Sequence, residues 1–468
     1  MIALIRQIAV FVDRWHWVLL ALTAPFLVFP SPSRSLALLV VPGLWIAAWV
    51  AGREPLPRTP LNATLLLMFF MVLVSLWATF DIGYSLPKIS GMVLGMGAFF
   101  AVAREAERPR GWILSLLAFI GIGLGIAALG LFGTRWASSK ITFFDPIIAR
   151  LPTLIQGLQG AETGLHPNEV AGALIWVLPL MMTVSLELLF TDKAAVELPP
   201  EWWQQRAHRG SGRQAGRGVN TRQKRRAWGL VVVTLLCLLA TFFVSGVFAL
   251  TQSRGGYIGL ALTLPVLILI ALPPKWRWYS LVILALLALI LGIAFTSHWE
   301  AVRAWLTGSD LAADPALSLN SLEGRLEVWS RAIYGIQDFP FTGMGMNAFR
   351  KVVPVLYPLF TISPEVDIGH AHNEFLQAAL DLGIPGLIAF LALYIGAFWM
   401  LVDLWRKGGP DGILSYRAVV LGLGGGLLAH LQYGLTDAVA LGAKPGVLFW
   451  MLLGLIAGLY GQMRSKGY

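Results

Sequence analysis

Long apolar runs, each near the ~20 residues that cross a bilayer as a helix, recur along the chain between shorter polar stretches. Their edges predict helices at 15–31, 36–52, 61–80, 87–103, 112–133, 169–190, 228–250, 256–272, 278–296, 384–404, 417–436 and 445–463. No series of short alternating strands is evident, so a membrane β-barrel does not fit the pattern. The expected fold is an all-α polytopic membrane protein with about twelve transmembrane helices. Residues 1–296 hold the first nine, residues 297–383 form a large helical loop, and residues 384–468 hold the last three. Gly91 and Gly95 stand four apart, as do Gly121 and Gly125, a spacing that predicts close helix approach.

Two polar segments are longer than simple turns. One runs from Gly133 to Asn168, and the other is the loop at 297–383. In the second, Leu322, Leu326, Trp329, Ile333 and Ile336 recur at helical spacing and predict one apolar face, with Arg325 and Arg331 off it. Ser321 is the expected N-cap, Phe339-Pro340 the stop, and Gly343 with Gly345 a tight turn before a second short helix from Asn347 to Val355. The segment is too polar to span and too patterned to be structureless, which predicts an outer, membrane-apposed subdomain. It leads into GHAHNEFLQAALDLGIPG, residues 369–386, where Gly383 and Pro385 read as a helix stop after a short helix from Asn373 to Leu382. His372 falls at the N-terminal edge of that helix, where the outward N–H groups favour a neutral ring able to accept a proton.

Composition agrees with a membrane protein. Of 468 residues, 57% are hydrophobic and 13% charged, and the mean hydropathy is +0.71. The single cysteine, Cys237, excludes an intramolecular disulfide. The first apolar run reads as a retained span and not as a cleaved signal. Lys and Arg concentrate in alternate loops, above all in an Arg-rich loop at 191–227, which predicts cytoplasmic termini. That loop contains RGSGRQAGRG without interleaved aromatics, so it reads as a disordered anchor at anionic lipid headgroups and not as a nucleic-acid site. The net charge of +10 belongs to these loops.

Candidate chemistry collects at the opposite ends of the helices. Lys88 opens the fourth span, Arg254 lies in TQSRGGY between two apolar runs, Arg325 and His372 belong to the long loop, and Asp437 and Lys444 flank the last turn. No long polar loop solvates Arg254, so it calls for an anion, and Gly255-Gly256 would let a ligand approach the backbone. Cations suit a diphosphate, and a neutral histidine suits a general base. There is no Walker motif, no HExxH and no clear metal-ligand set in the spacing, so no cofactor or metal is expected.

His372-Asn373, nine residues, then Gly383 and Gly386, preceded by Gly324-Arg325 and Trp329 and by Gly343-x-Gly345, resemble the O-antigen ligase and O-antigen polymerase superfamily. The resemblance extends to the span count, the large loop and the Arg254 segment. It implies a GT-C type, metal-independent glycosyltransferase of the inner membrane, using a glycan on undecaprenyl diphosphate at the periplasmic face. Carried over, His372 matches the family's essential histidine, and Arg254 and Arg325 match arginines that hold the lipid diphosphate. Lys88 is assigned there by position only, and His370 and Asn373 are supporting residues. His370 leaves open which histidine is the base. The implied partners are the lipid-linked glycan, a lipid or saccharide acceptor and membrane lipids. The expected activity is ligation to lipid A core. Polymerisation and protein O-oligosaccharyl transfer share these motifs, and a small-anion transporter is the reading from another class. The spans are nearly free of charge, which disfavours transport, and His430 is expected to be a packed, hydrogen-bonded histidine.

Overall fold

The computed structural model describes the chain except residues 1, 29–33, 55, 135, 137–140, 153–164, 192–213, 298–321, 363–365, 408–415, 440 and 466–468. Side chains at 2–3, 24–28, 34–35, 142, 214–227, 288, 291, 294–297 and 322–323 are likewise not described. The helices are α1 (Ile2–Arg14), α2 (His16–Val28), α3 (Val40–Val50), α4 (Asn62–Ala78), α5 (Ile82–Ala106), α6 (Gly111–Gly133) and α7 (Asp145–Ile148). They continue with α8 (Pro167–Phe190), α9 (Gln214–Leu250), α10 (Arg254–Ala271), α11 (Pro274–Ser297), α12 (Leu322–Asp338) and α13 (Phe349–Leu356). Last come α14 (Glu374–Lys407), α15 (Tyr416–Tyr433) and α16 (Val447–Ser465). A helix covers each predicted apolar run. Among the described residues, seven helices are long and apolar enough to cross a membrane, and Leu36–Val50 and Asn62–Ala78 are shorter apolar helices. The chain is therefore a polytopic α-helical membrane protein. Most of the Arg-rich loop lies outside the described residues, and from Gln214 its backbone is helical and continues into α9. The expected N-cap Ser321 also lies outside them.

The core of the bundle joins α5 with α16, α8 with α15, α10 with α15, and α4 with α14. Gly95 receives the Trp450 ring of α16, so one predicted glycine pair does mediate close approach. Gly121 and Gly125 do not, because nothing lies within 4 Å of where their Cβ atoms would stand. On α6 the packed glycines are Gly123 and Gly130, whose Cβ positions fall 2.8 and 2.7 Å from Val177 and Val170 of α8. Seven residues make about two helical turns, so this pair shares one face.

The subdomain beside the bundle has its own small core of Val328, Ala332, Met344, Ala348, Phe349, Val353 and Ile362. Its helix α12 departs from the expected face. The buried positions are Gly324, Val328, Ala332 and Gly335, whereas Leu326 and Ile333 are exposed. Small side chains win the packed face because they let α12 approach α14 closely: a Cβ on Gly335 would meet Leu380 at 2.9 Å. Leu326 and Ile333 are then left outward. Glu327 ties the far strap down, its carboxylate accepting the N–H groups of Phe360, Thr361 and Ile362 at 2.6, 2.9 and 3.2 Å. The second helix, α13, falls where expected.

Helix α14 breaks at Gly383, which has φ +69° and ψ 177°. The short helix 374–382 ends there and a spanning helix begins. The freed backbone groups are taken up by the turn after α12: Ile384 N–H donates to Pro340 O and Met344 N–H to Leu380 O, both at 2.7 Å. Gly343, at φ +68°, sits so close that a Cβ would lie 2.7 Å from three backbone atoms of residues 380–383. The predicted stop and the predicted tight turn are thus two halves of one joint, which seats the short helix at the mouth of the bundle. His430 is buried within α15, its Nδ1 2.8 Å from the Tyr394 hydroxyl and its ring stacked on Trp176 at 4.3 Å, the packed arrangement expected of it.

Candidate functional site

The histidine loop is held by the residues that follow it. Asn373 caps the short helix, its Oδ1 accepting the N–H groups of Phe375 and Leu376 at 3.0 and 3.1 Å. Its Nδ2 donates to Leu435 O at 3.2 Å, linking the cap to the loop after α15. Because Asn373 makes the cap, His372 is free to turn away. It does so at φ +47°, a left-handed conformation uncommon for a residue with a Cβ. Trp329 Nε1 of α12 donates to its carbonyl at 3.4 Å.

Both histidines face Asp437. His370 Nε2 and His372 Nδ1 each lie 3.6 Å from Asp437 Oδ1, and the two rings are 4.4 Å apart. Burial alone would raise the Asp437 carboxyl. The two facing histidines and the Arg325 guanidinium offset that and hold it well below the usual carboxylate range. Burial pushes His370 down to about 3, helped by the neighbouring His372 and Lys88 and opposed by Asp437. His370 is therefore neutral at ordinary pH.

Asp437 also belongs to a pocket lined by Arg254, Arg325, Asn168, Tyr433 and Thr436. They come from α8, α10, α12 and the end of α15 with the loop that follows it. Ser253 caps α10, its Oγ accepting the Gly256 N–H at 3.4 Å, which places Arg254 in the first helical turn at the pocket wall. The close approach that Gly255 permits is made by Thr436, so there the protein fills the space expected for a ligand. Arg325 enters from α12, and its Nε is buried with no hydrogen-bond partner among the described residues. Asn168 is buried in the first turn of α8, its carbonyl accepting the Tyr433 hydroxyl at 2.7 Å. Two guanidinium groups and one carboxylate, with two histidines behind that carboxylate, can hold an anion and move a proton beside it.

Lys88 lies outside this pocket lining. Its ammonium is 2.5 Å from Asp381 Oδ2, in the interior between α5 and the short helix. Sequence reasoning also missed Glu374, which joins the two halves of the site. Its carboxylate accepts the N–H groups of Val439 and Leu441 at 2.5 and 3.1 Å, and its own N–H donates to Gly434 O at 2.7 Å. Glu374, Gln377 and Asp381 are each about 1% exposed. Their spacing of three and then four residues, in an otherwise apolar helix, was the available signal of a polar face with a task.

His370, His372 and Asp437 have candidate ligand atoms within 4.8 Å of one another, a cluster that could hold a metal ion and that the spacing did not reveal. The His372 N–H donates to His370 Nδ1 at 3.2 Å. That bond puts the His370 proton on Nε2, the atom facing Asp437. His370 thus offers a donor there and not the lone pair a metal needs. The arrangement fits a carboxylate faced by an N–H group better than a resident cation.

No curated protein matches the chain. Residues 239–391 match the family described as O-antigen ligase, a segment that contains Arg254, Arg325, His370, His372 and Asn373. The similarity of the chain to that family lies in this segment, which carries the histidine loop and both arginines.

Proposed function

We propose that the protein moves a glycan from undecaprenyl diphosphate to an acceptor hydroxyl, with lipid A core as the acceptor, at the periplasmic face of the inner membrane. Both termini are then cytoplasmic. The observation that carries this reading is the shared pocket: Arg254 and Arg325 line it together with Asp437, which touches His372.

In this reading the two guanidinium groups hold the donor diphosphate and stabilise the charge that grows on it as the glycosidic bond breaks. Donors placed on developing charge contribute roughly 3–4 kcal/mol each. His372 Nδ1 faces the Asp437 carboxylate at 3.6 Å, and a negative charge on that side favours the tautomer with the proton on Nδ1 and the Nε2 lone pair toward the acceptor hydroxyl. His372 removes that proton as the oxygen attacks the anomeric carbon in line, and the configuration inverts. General-base assistance of this kind is worth about 10²–10⁴-fold. His370 Nε2 lies 3.6 Å from the same carboxylate and supports the pair.

The test is transfer by purified protein, read by mass spectrometry of the product with lipid A core, a second lipid-linked repeat and a peptide offered separately. His372→Ala and Arg254→Ala are expected to insert and fold yet give no product. Normal transfer by either variant would remove that residue from the mechanism. Product only with the lipid-linked repeat or the peptide would replace the ligase reading with polymerisation or protein glycosylation.

A further inference from the structure

Lys88, Asp381 and Gln377 form a buried chain that ends on the backbone between the two histidines. The Lys88 ammonium meets Asp381 Oδ2 at 2.5 Å. Gln377 Nε2 donates to Asp381 Oδ1 at 2.9 Å, and Gln377 Oε1 accepts the Ala371 N–H at 2.8 Å. The Asn347 N–H, from the turn before α13, donates to the same Asp381 oxygen at 3.2 Å. Asp381 and Gln377 are about 1% exposed, so water does not compete for these groups.

The order of the links matters. An amide side chain can face either way, but an ionised carboxylate accepts only, so Asp381 forces the Gln377 NH2 toward itself. The amide oxygen must then face Ala371. An ionised Asp381 in the interior in turn needs a cation, which Lys88 supplies from α5. The product of the chain is a fixed peptide between His370 and His372, the place that needs fixing because His372 is held at φ +47°.

The structure assigns Gln377 as a positioning residue for His372, with Asp381 and Lys88 acting through it and not on the donor diphosphate. This rests on the reading of His372 as the base. It also changes the part given to Lys88, from a donor-binding cation to the counter-charge of an internal support.

The experiment uses the full-length protein with undecaprenyl-diphosphate glycan as donor, and compares Gln377→Leu, Lys88→Met and the double variant Lys88→Met/Asp381→Asn. Gln377→Leu is expected to lower kcat at least tenfold with the donor KM within twofold of the parent. Lys88→Met is expected to lose yield and kcat. The double variant should regain both, because a neutral amide in place of the carboxylate needs no ammonium and can still accept from Gln377. A double variant whose donor KM is raised tenfold or more would put Lys88 on the donor and overturn the proposal, as would parental kcat in Gln377→Leu. Hydrogen exchange at the Ala371 amide separates this proposal from the transferase reading. At least tenfold faster exchange in Gln377→Leu supports the chain even if no glycan is transferred by the parent, and unchanged exchange overturns it.

Discussion

Glu374→Gln tests whether the two halves of the site are coupled as described. Among the described residues, the carboxylate of Glu374 accepts the backbone N–H groups of Val439 and Leu441, in the loop that carries Asp437. It is buried, so no water replaces a lost bond. Hydrogen bonds to a charged group contribute about 1.5–3 kcal/mol, and a buried N–H left without a partner costs about 1–3 kcal/mol. A glutamine keeps one acceptor oxygen, but its NH2 must point at the other N–H donor. One bond is lost, the other loses its charge, and the expected loss in local stability of residues 434–441 is about 2–4 kcal/mol. At about 1.4 kcal/mol per tenfold change, the Val439 and Leu441 amides should exchange roughly 30- to 700-fold faster, under conditions where exchange reports the opening equilibrium. Transfer should fall in parallel, since Asp437 then no longer holds His372. Hydrogen exchange with mass spectrometry in detergent reads the first effect and product formation the second. Exchange within threefold of the parent at both amides, in a folded variant, would refute the clamp.

Other expected outcomes concern the joint and the strap. Gly343→Ala places a Cβ 2.7 Å from backbone atoms of Leu380, Asp381 and Gly383 at a positive φ, so a loss of about 2–4 kcal/mol is expected. Unchanged melting temperature and monodisperse yield would contradict it. Burial raises the Glu327 carboxyl, but hydrogen bonds from the N–H groups of Phe360, Thr361 and Ile362 outweigh it and leave the group below its ordinary 4.5. A lowered folded-state value stabilises above the unfolded one and is lost as pH falls through the folded one. The parent should therefore melt above Glu327→Gln by a constant margin at neutral pH, and the margin should shrink on acidification below about pH 4.5. A margin independent of pH would contradict the assignment. Gly95→Leu should disrupt the α5–α16 contact with Trp450, where a Leu at Gly121 should be tolerated, and comparison of detergent melting temperatures checks both.

The helices were legible because apolar length is a direct signal in a membrane protein, and each predicted run is helical. The joint at Gly383 was legible for a similar reason: glycine and proline mark where a helix must stop. The buried face of α12 was not. Leu326 and Ile333 carry the hydrophobicity, yet they stay exposed while the small residues Gly324 and Gly335 pack. Hydrophobicity alone does not separate protein-facing from lipid-facing sides. In the site, Arg254, Arg325 and His372 stood out as polar groups beside apolar runs. The Asp437 contact did not, because it joins two loops separated by the whole of α14 and α15. Lys88 was visible as a membrane-edge cation, and only the fold could reveal that Asp381 is its partner.

The central claim is that guanidinium groups from α10 and α12 and the histidine loop before α14 serve one pocket at one end of the bundle. A structure of the full-length protein in lipid nanodiscs with undecaprenyl diphosphate tests it most directly. The account predicts density for the diphosphate between Arg254 and Arg325, on the side of the pocket lined by Asp437. A diphosphate bound away from both arginines, or the two arginines and His372 opening into separate cavities, would contradict it.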